Sequence, residues 1–520
     1  MLARLFRETS LRTPDRTALI WDGGQWTYRE MQQAIDGLRQ ALGDERSSHI
    51  GILSHKSPTA YAAVQAILSQ ACAYVPLNPA FPSTRNAYIA RKAGLSILIV
   101  DEGCADALEG LLSQDSASYR LVVLGEAPLV AAIAARHPDR LILVHAKTWL
   151  GSPLSLIEPI PEADAYALFT SGSTGMPKGV RVLQRNVLSY VRTLLELYPI
   201  APEDRLSQTF DLTFDLSVHD QFVCWAAGAT LVVFPDRTLM SPLEWTRQQH
   251  VTVWFSVPSL AAFLESARQV VPDALPDLRL SLFCGEKLTW NTCRIWRTVA
   301  PNSRLANLYG PTEATIAITH FEIPPSFGEA DAFQGGIPIG RVFPGQGVQI
   351  RREDGSLCDG GETGGLWLGG AQVTAGYLGD PEKTAERFVS DGSEVWYRTG
   401  DLVFEDAQGV LQYVGREDFQ VKVMGYRIEL GEIEYALMKA AGCTFALADV
   451  GKLRSGIDEI FCVLPAGAQS RKKALRQELK ELLPPYMVPR HFFFTDDIPL
   501  NSNGKMDRPE IRRRAEEGLL

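Results

Sequence analysis

The sequence predicts an α/β fold in two parts. Residues 1–417 form a large N-terminal part, made of layered α/β subdomains with a small β-barrel-like subdomain. Residues 418–520 form a smaller α+β part. Three observations predict this. Short β-branched runs with polar ends alternate with helical stretches through the first half, as in a buried, mostly parallel sheet. Glycine becomes dense from Gly335 to Gly379, with short alternating segments such as Gly364-Gly365-Leu366-Trp367-Leu368-Gly369-Gly370, which read as a turn-rich β unit. After Gly415-Arg416-Glu417-Asp418 the pattern of helices and strands returns over roughly 100 residues, above the lower limit for independent folding.

The elements follow in order. Met31, Ala34, Ile35, Leu38, Ala41 and Leu42 recur at helical spacing over 29–42. His49-Ile50-Gly51-Ile52-Leu53 reads as a strand and 59–69 as a second helix. Leu95–Asp101, Leu121–Leu124 and Leu141–Val144 are short strand-like runs. In the C-terminal part, 432–441 and 469–483 read as helices, Thr444–Val450 and Glu459–Leu464 as strands. No internal repeat or low-complexity tract is visible.

Composition narrows the function. The 520 residues are 46% hydrophobic, so a large core is available. A formal net charge of −10 argues against a general nucleic-acid binder, which needs a basic face. Any phosphate ligand must then be held by a local site. The eight cysteines, at 72, 104, 224, 284, 293, 358, 443 and 462, are scattered and form no C-x-x-C pair. A reduced, cytoplasmic setting fits them better than a disulfide framework or zinc site. The N-terminus lacks a signal-peptide core, and no run of about 18 apolar residues is present. Neither a nucleic acid nor a membrane is expected as a partner.

The densest chemistry lies in Thr170-Ser171-Gly172-Ser173-Thr174-Gly175-Met176-Pro177-Lys178-Gly179, which follows the apolar run Tyr166-Ala167-Leu168-Phe169. Glycines let backbone N–H groups approach an anion, and hydroxyls and a lysine add donors. The spacing is not that of a Walker A loop. Read alone, the segment is either a polyphosphate site or a flexible surface loop. Asn307-Leu308-Tyr309-Gly310-Pro311-Thr312-Glu313 puts a carboxylate and a hydroxyl on a Gly-Pro turn. Glu313 reads either as a Mg²⁺ ligand beside phosphates or as an acidic residue facing a helix dipole. Asp401, in Tyr397-Arg398-Thr399-Gly400-Asp401, could accept ribose hydroxyls or be a solvated turn residue. Asp215, between Phe214 and Leu216, would pair when buried with a ligand ammonium or an internal cation. Asn503-Gly504-Lys505 carries a lysine on a turn near the C-terminus.

Together and in this order these stretches resemble the adenylate-forming superfamily, above all amino-acid adenylation domains of nonribosomal peptide synthetases and their stand-alone relatives. Trp26-Thr27-Tyr28-Arg29-Glu30 and Ala71-Cys72-Ala73-Tyr74-Val75-Pro76-Leu77 resemble its first two core motifs, and the Thr170–Gly179 loop the third. Phe214-Asp215-Leu216-Ser217-Val218, Asn307–Glu313, Gly361-Glu362, Gly376-Tyr377-Leu378, Tyr397–Asp401, Gly415–Lys422 and Asn503–Lys505 follow. The resemblance implies two half-reactions. An amino-acid carboxylate attacks the α-phosphate of ATP, giving an aminoacyl-adenylate and pyrophosphate. A phosphopantetheine thiol on an acyl or peptidyl carrier protein then displaces AMP.

It also implies roles for matching residues. Thr170, Ser171, Gly172, Ser173, Thr174, Gly175 and Lys178 hold the β- and γ-phosphates, Glu313 binds Mg²⁺ and Thr312 contacts the α-phosphate. Asn307, Tyr309 and Gly310 line the nucleotide site, with Tyr309 on adenine, and Asp401 and Arg416 bind ribose. Lys505 bridges the substrate carboxylate and the nucleotide. Asp418 is the hinge of a mobile C-terminal domain whose rotation withdraws Lys505 and brings Gly425-Tyr426-Arg427 to the pantetheine tunnel. Asp215 takes the substrate ammonium, beside Phe214. Leu216, His219, Phe255, Leu282, Cys284, Leu308, Ile316 and Ala317 line a pocket for a small or compact uncharged side chain. His219 reads equally as a core histidine hydrogen-bonded to backbone.

Phe283-Cys284-Gly285-Glu286 is similar to the D-alanine–carrier protein ligases, and stand-alone proline-activating enzymes are also similar. An acyl- or aryl-CoA ligase and a non-catalytic adenylation-like partner protein are the other readings. No carrier domain with its Gly-Gly-x-Ser attachment site follows Lys505, so either a separate carrier loaded in trans or an excised domain is expected; a monomer is expected as well. Lys472, Lys473 and Arg476 read as a carrier contact or a solvated helix face.

Overall fold

The computed structural model describes residues 2–44, 48–157, 161–172, 176–239, 241–418, 420–453, 457–497, 499 and 506–520. Two large sheets form the N-terminal part. The seven-stranded sheet runs Leu141–Ala146, Tyr119–Leu124, Ile97–Val100, His49–Leu53, Ala73–Leu77, Asp164–Thr170, Lys178–Leu183. Its first six strands are parallel and the last pairs antiparallel. The nine-stranded sheet runs Arg341–Val342, Thr319–Ile323, Arg304–Tyr309, Leu280–Phe283, Val253–Ser256, Arg205–Gln208, Thr230–Val233, Thr17–Trp21, Gly24–Thr27. Its middle strands are buried almost throughout, Ser207 and Gln208 included, because helices cover them, so alternation of burial is lost.

The first core motif has a local structural task. Thr27 and Glu30 form a capping box on the helix Tyr28–Leu42: the Glu30 amide donates to Thr27 Oγ1 at 3.2 Å, and the Thr27 amide to Glu30 Oε2 at 2.7 Å. Ser57 caps Pro58–Ser69 by accepting from the Ala60 amide, with proline at the first helical position. Both helices bury their apolar faces in the largest core, shared by the two sheets.

The glycine-dense region forms a five-stranded antiparallel sheet around Val395–Glu405, which pairs with Gly364–Gly370, Phe388–Ser390 and Leu411–Arg416. Tyr397–Asp401 therefore lies inside a strand rather than on the expected turn. A register shift between Leu402 and Val403 marks a bulge that reshapes the strand there.

After Asp418 come the hairpin Gln420–Val423/Tyr426–Glu429, the helix Leu430–Ala441, and a three-stranded sheet of Leu447–Lys452, Asp458–Leu464 and His491–Phe494. The strand expected over 444–450 starts three residues late, because Gly442 closes the preceding helix in the left-handed conformation and the chain must turn before pairing. The helix expected over 469–483 divides into a 3₁₀ stretch Ala466–Arg471 and the α-helix Lys472–Leu482. That helix buries Leu475 and Leu479 and turns Lys472, Lys473 and Arg476 to solvent. Among the described residues no helix is long and apolar enough to cross a membrane.

Candidate active site

A cleft of about 1440 Å³ opens between the nine-stranded sheet, the five-stranded sheet and the C-terminal part; Asn307, Tyr309, Arg416 and Asp418 line it, while Lys178, Thr312, Glu313 and Asp401 stand outside its lining. The Thr170–Gly179 loop joins the adjacent antiparallel strands Asp164–Thr170 and Lys178–Leu183, with Thr170 opposite Lys178 at its base. Ser173, Thr174 and Gly175 lie outside the described residues, as does Lys505. Lys178 turns inward. Its Nζ donates to Glu313 Oε1 and to the Tyr377 hydroxyl, each at 3.1 Å, and sits 4.6 Å from the Tyr377 ring centroid. Burial, then the neighbouring Arg427 cation, bring the Lys178 ammonium down to about 8.

Glu313 stands on the short 3₁₀ turn Thr312–Ala314, directly after the strand Arg304–Tyr309. It is fully buried, and cations rather than a helix dipole hold it. Arg427 Nη1 lies 2.9 Å from Oε1 and 2.8 Å from Oε2, and the Tyr377 hydroxyl donates to Oε1 at 2.8 Å. Burial alone would raise this carboxyl. Arg427 and Lys178 outweigh it and hold the group far below the usual carboxylate range. The backbone after the turn is strained, with Thr315 at φ 57° and Ile316 at φ 72°. Gly310 makes room for it: a Cβ there would stand 2.6 Å from Ala317 Cα.

Asp401 is buried. It accepts from Arg416 Nη1 at 2.5 Å and from the Tyr309 hydroxyl, and its own amide donates to Thr399 Oγ1 at 2.9 Å. Arg416 also holds Asp418, so the predicted ribose and hinge residues share one guanidinium.

The predicted amino-acid pocket comes from five separate elements. Asp215 and Leu216 stand at the start of the helix Leu216–Ala227, with His219 one turn on. Phe255 lies on Val253–Ser256, Leu282 on Leu280–Phe283, Cys284 just after it, and Leu308 on Arg304–Tyr309. Ile316 is the second of the two strained residues after the Thr312–Ala314 turn, and Ala317 follows it. All nine are buried. The cleft reaches Phe214 and Leu308 but not Asp215, His219, Phe255, Cys284, Ile316 or Ala317, which pack closely.

His219 stacks on Phe255 with ring centroids 3.9 Å apart, and its Nδ1 lies 2.7 Å from the Tyr190 hydroxyl. Its partner is a side chain, not backbone. Burial brings it down to about 3, so it is neutral at pH 7. Asp215 has no salt bridge among the described residues, and burial raises it to about 6 against a hydrogen bond from Thr312.

Sequence reasoning placed Gly425-Tyr426-Arg427 at a tunnel but missed what it touches. Met424 and Gly425 have φ 51° and 80°, the primed turn of a two-residue hairpin. A Cβ on Gly425 would stand 2.3 Å from Val257 Cγ1. The Gly425 amide donates to Glu286 Oε1 at 2.8 Å, and the Tyr426 hydroxyl to Asp211 Oδ2 at 2.9 Å. Tyr426 stacks on Tyr486 at 3.8 Å, and Ser171 Oγ donates to the Arg427 carbonyl at 2.5 Å. Asp211 and Tyr190 carry no local signal, and the motifs that hold Glu286 and Tyr377 do not name these contacts. Their partners lie from 29 to 215 residues away.

This fold and site define an AMP-binding enzyme, and the chain belongs to that family, matching it over residues 6–378. It is 34% identical over 518 residues to phenyloxazoline synthase MbtB of Mycobacterium sp. (strain MCS), covering 97% of this chain and 41% of that one. It is 30% identical over 526 residues to the D-alanine–D-alanyl carrier protein ligase of Bacillus cereus (strain G9842), covering 98% of each. The fold superposes with a TM-score of 0.91 on the Vibrio cholerae adenylation domain AlmE in complex with glycyl-adenosine-5'-phosphate, at 28% identity, covering 99% of this chain and 97% of that one. The chain thus spans less than half of the synthase and nearly all of the ligase. Within the family it is an adenylate-forming enzyme of the nonribosomal peptide synthetase adenylation type.

Proposed function

We propose that this chain uses ATP to activate a small uncharged amino acid as aminoacyl-AMP, and passes it to the phosphopantetheine thiol of a separate carrier protein. The observation that carries the reading is Asp215: a buried carboxylate among closely packed apolar side chains, with no Arg or Lys salt-bridged to it among the described residues. A buried carboxylate is costly unless it is paired, and a substrate ammonium supplies the missing cation. Free acyl or aryl acids, the substrates of the runner-up CoA ligase reading, supply none.

The remaining roles extend the same proposal. Glu313 is a single buried carboxylate, and no group of three or more His, Cys, Asp or Glu stands among the described residues as a metal cage. That fits Mg²⁺, which binds one or two carboxylates and completes its shell with phosphate oxygens and water. When bound it supplies charge neutralisation on the phosphoryl group under attack. Thr312 orients the α-phosphate next to Asp215. Lys178 and the Thr170–Gly175 segment receive the β- and γ-phosphates, and Lys505 holds the substrate carboxylate against the nucleotide. Asp401 has about four lone-pair positions, two of them taken by Tyr309 and Arg416, which leaves room for two ribose hydroxyls. The chain's contribution is to position the reactants and stabilise charge.

A small side chain is supported by the Phe255–His219 stack, and by the glycyl-adenylate and D-alanine in the names of two relatives. A D-alanine–carrier protein ligase is the second reading. Cys284-Gly285-Glu286 favours it, as does the end-to-end match to the Bacillus ligase.

Amino-acid-dependent exchange of labelled pyrophosphate into ATP tests the proposal. Exchange with glycine or either alanine isomer is expected. Exchange with a benzoate or fatty acid instead would overturn it. Lys505→Ala should abolish exchange and spare transfer from preformed adenylate.

A further inference from the structure

Tyr190 is not among the predicted pocket residues. It stands on the helix Gln184–Leu197, which follows the Lys178–Leu183 strand. The side chain is fully buried, and its hydroxyl meets a single partner among the described residues, His219 Nδ1 at 2.7 Å. A buried donor left without an acceptor is costly, so the hydroxyl proton goes to Nδ1. A neutral imidazole that accepts at Nδ1 carries its own proton at Nε2. Burial keeps this ring neutral, and no charged neighbour acts on it. The Phe255 ring lies against it, with centroids 3.9 Å apart. Tyr190 and Phe255 together hold the ring in one orientation. Its Nε2–H is then a donor with no partner among the described residues.

His219 comes four residues after Asp215, at the start of the same helix, so the two side chains share a face. Such neighbours lie about 5–6 Å apart, a separation that the ammonium and side chain of one small amino acid can span. Glycine and alanine would leave the Nε2–H donor unmet, whereas a hydroxyl oxygen would accept from it. Among the described residues the Ile316 carbonyl is met by the Cys284 thiol alone, at 4.0 Å, which leaves an acceptor for the hydroxyl's own proton.

We propose that Tyr190 positions His219 as its Nε2–H tautomer, and that the donor so presented favours an amino acid with a hydroxyl on its β-carbon, serine ahead of alanine or glycine. The inference rests on the adenylation reading above and narrows its small uncharged side chain. Tyr190 acts through His219 and is a positioning residue. The preference arises because a site built to hydrogen-bond a hydroxyl is left with an unpaired donor by the substrate that lacks one.

Pyrophosphate exchange with serine, alanine and glycine is compared in wild type, Tyr190→Phe and His219→Leu. Wild type should favour serine over alanine by about tenfold or more in kcat/KM. In Tyr190→Phe that ratio should fall toward one while alanine is still used, because the ring loses its fixed tautomer but the pocket keeps its volume. His219→Leu should lose the serine preference as well. Imidazole nitrogen chemical shifts of the histidine-labelled full chain read the tautomer directly, with the His219 signal assigned by its loss in His219→Leu. Wild type should show Nε2–H, and Tyr190→Phe a mixture. The wild-type tautomer and serine-to-alanine ratio decide the matter if Tyr190→Phe folds poorly. An Nδ1–H tautomer in wild type would overturn the inference and leave adenylation standing. So would equal use of serine and alanine by wild type, or a serine preference undiminished in Tyr190→Phe. Absence of exchange with every amino acid would overturn both.

Discussion

Arg416 grips Asp418 through two hydrogen bonds, Nε to Oδ1 at 2.7 Å and Nη2 to Oδ2 at 2.9 Å, while Nη1 donates to Asp401 at 2.5 Å. Burial would raise the Asp418 carboxyl, but the guanidinium holds it below its ordinary value. The residue proposed to bind ribose is thereby tied to the proposed hinge. Asp418→Ala should leave pyrophosphate exchange within about threefold and slow carrier loading about tenfold, because domain movement rather than chemistry is disturbed. Parallel measurement of the two half-reactions checks this, and an equal loss in both would show that Asp418 serves the nucleotide site instead.

Asp215 gives the enzyme a pH signature. Burial raises its pKa to about 6, and only the carboxylate form pairs with a substrate ammonium. kcat/KM for the amino acid should therefore hold above pH 6 and fall about tenfold per pH unit below it, since this parameter reports the free enzyme. Asp215→Asn should lower kcat/KM throughout and flatten that limb. A limb that persists in the variant would assign the titration to another group.

In the proposed amino-acid pocket the His219–Phe255 pair would limit the side chain that fits. Phe255→Leu should admit larger amino acids in the exchange assay while glycine and alanine are still used. Removing the ring opens space but costs about 1–3 kcal/mol through lost packing, which a fall in Tm would record. Unchanged selectivity would move the specificity wall elsewhere.

Gly310 lies under the strained turn that carries Glu313. Gly310→Ala forces a methyl to within 2.6 Å of Ala317 Cα, a backbone atom that cannot give way easily. The variant should lose about 1–3 kcal/mol of stability, read by denaturant unfolding, and most of its exchange activity.

Thr27→Ala tests whether the first core motif acts locally. It removes half of a capping box far from the cleft in sequence and should cost about 0.5–2 kcal/mol with KM unchanged. A changed KM for ATP or amino acid would give the motif a role in the site.

The parallel strands and the covering helices were legible because β-branched runs and helical periodicity are local signals, as in His49–Leu53 and Tyr28–Leu42. Boundaries slipped where a cap set them, at Gly442 and Lys472. The bulged strand that carries Asp401 was hidden, because glycine and threonine next to an aspartate look like a turn until a neighbouring strand pairs with them. The candidate site residues were named through ordered motifs, yet their partners were not. Tyr190 beside His219 is an ordinary tyrosine in a sequence, and the motif that holds Tyr377 does not say that it meets Glu313 and Lys178.

By itself the sequence determined the chemical inventory. It set a glycine-rich loop with Lys178, a carboxylate at each of 215, 313 and 401, and an apolar composition able to bury them. Tertiary structure decided the electrostatics. Whether a carboxylate is held ionised at 313 or raised to about 6 at 215 depends on burial and on which cation arrives from elsewhere in the chain. For Glu313 that cation comes from 114 residues away, on a hairpin whose seating no local pattern encodes.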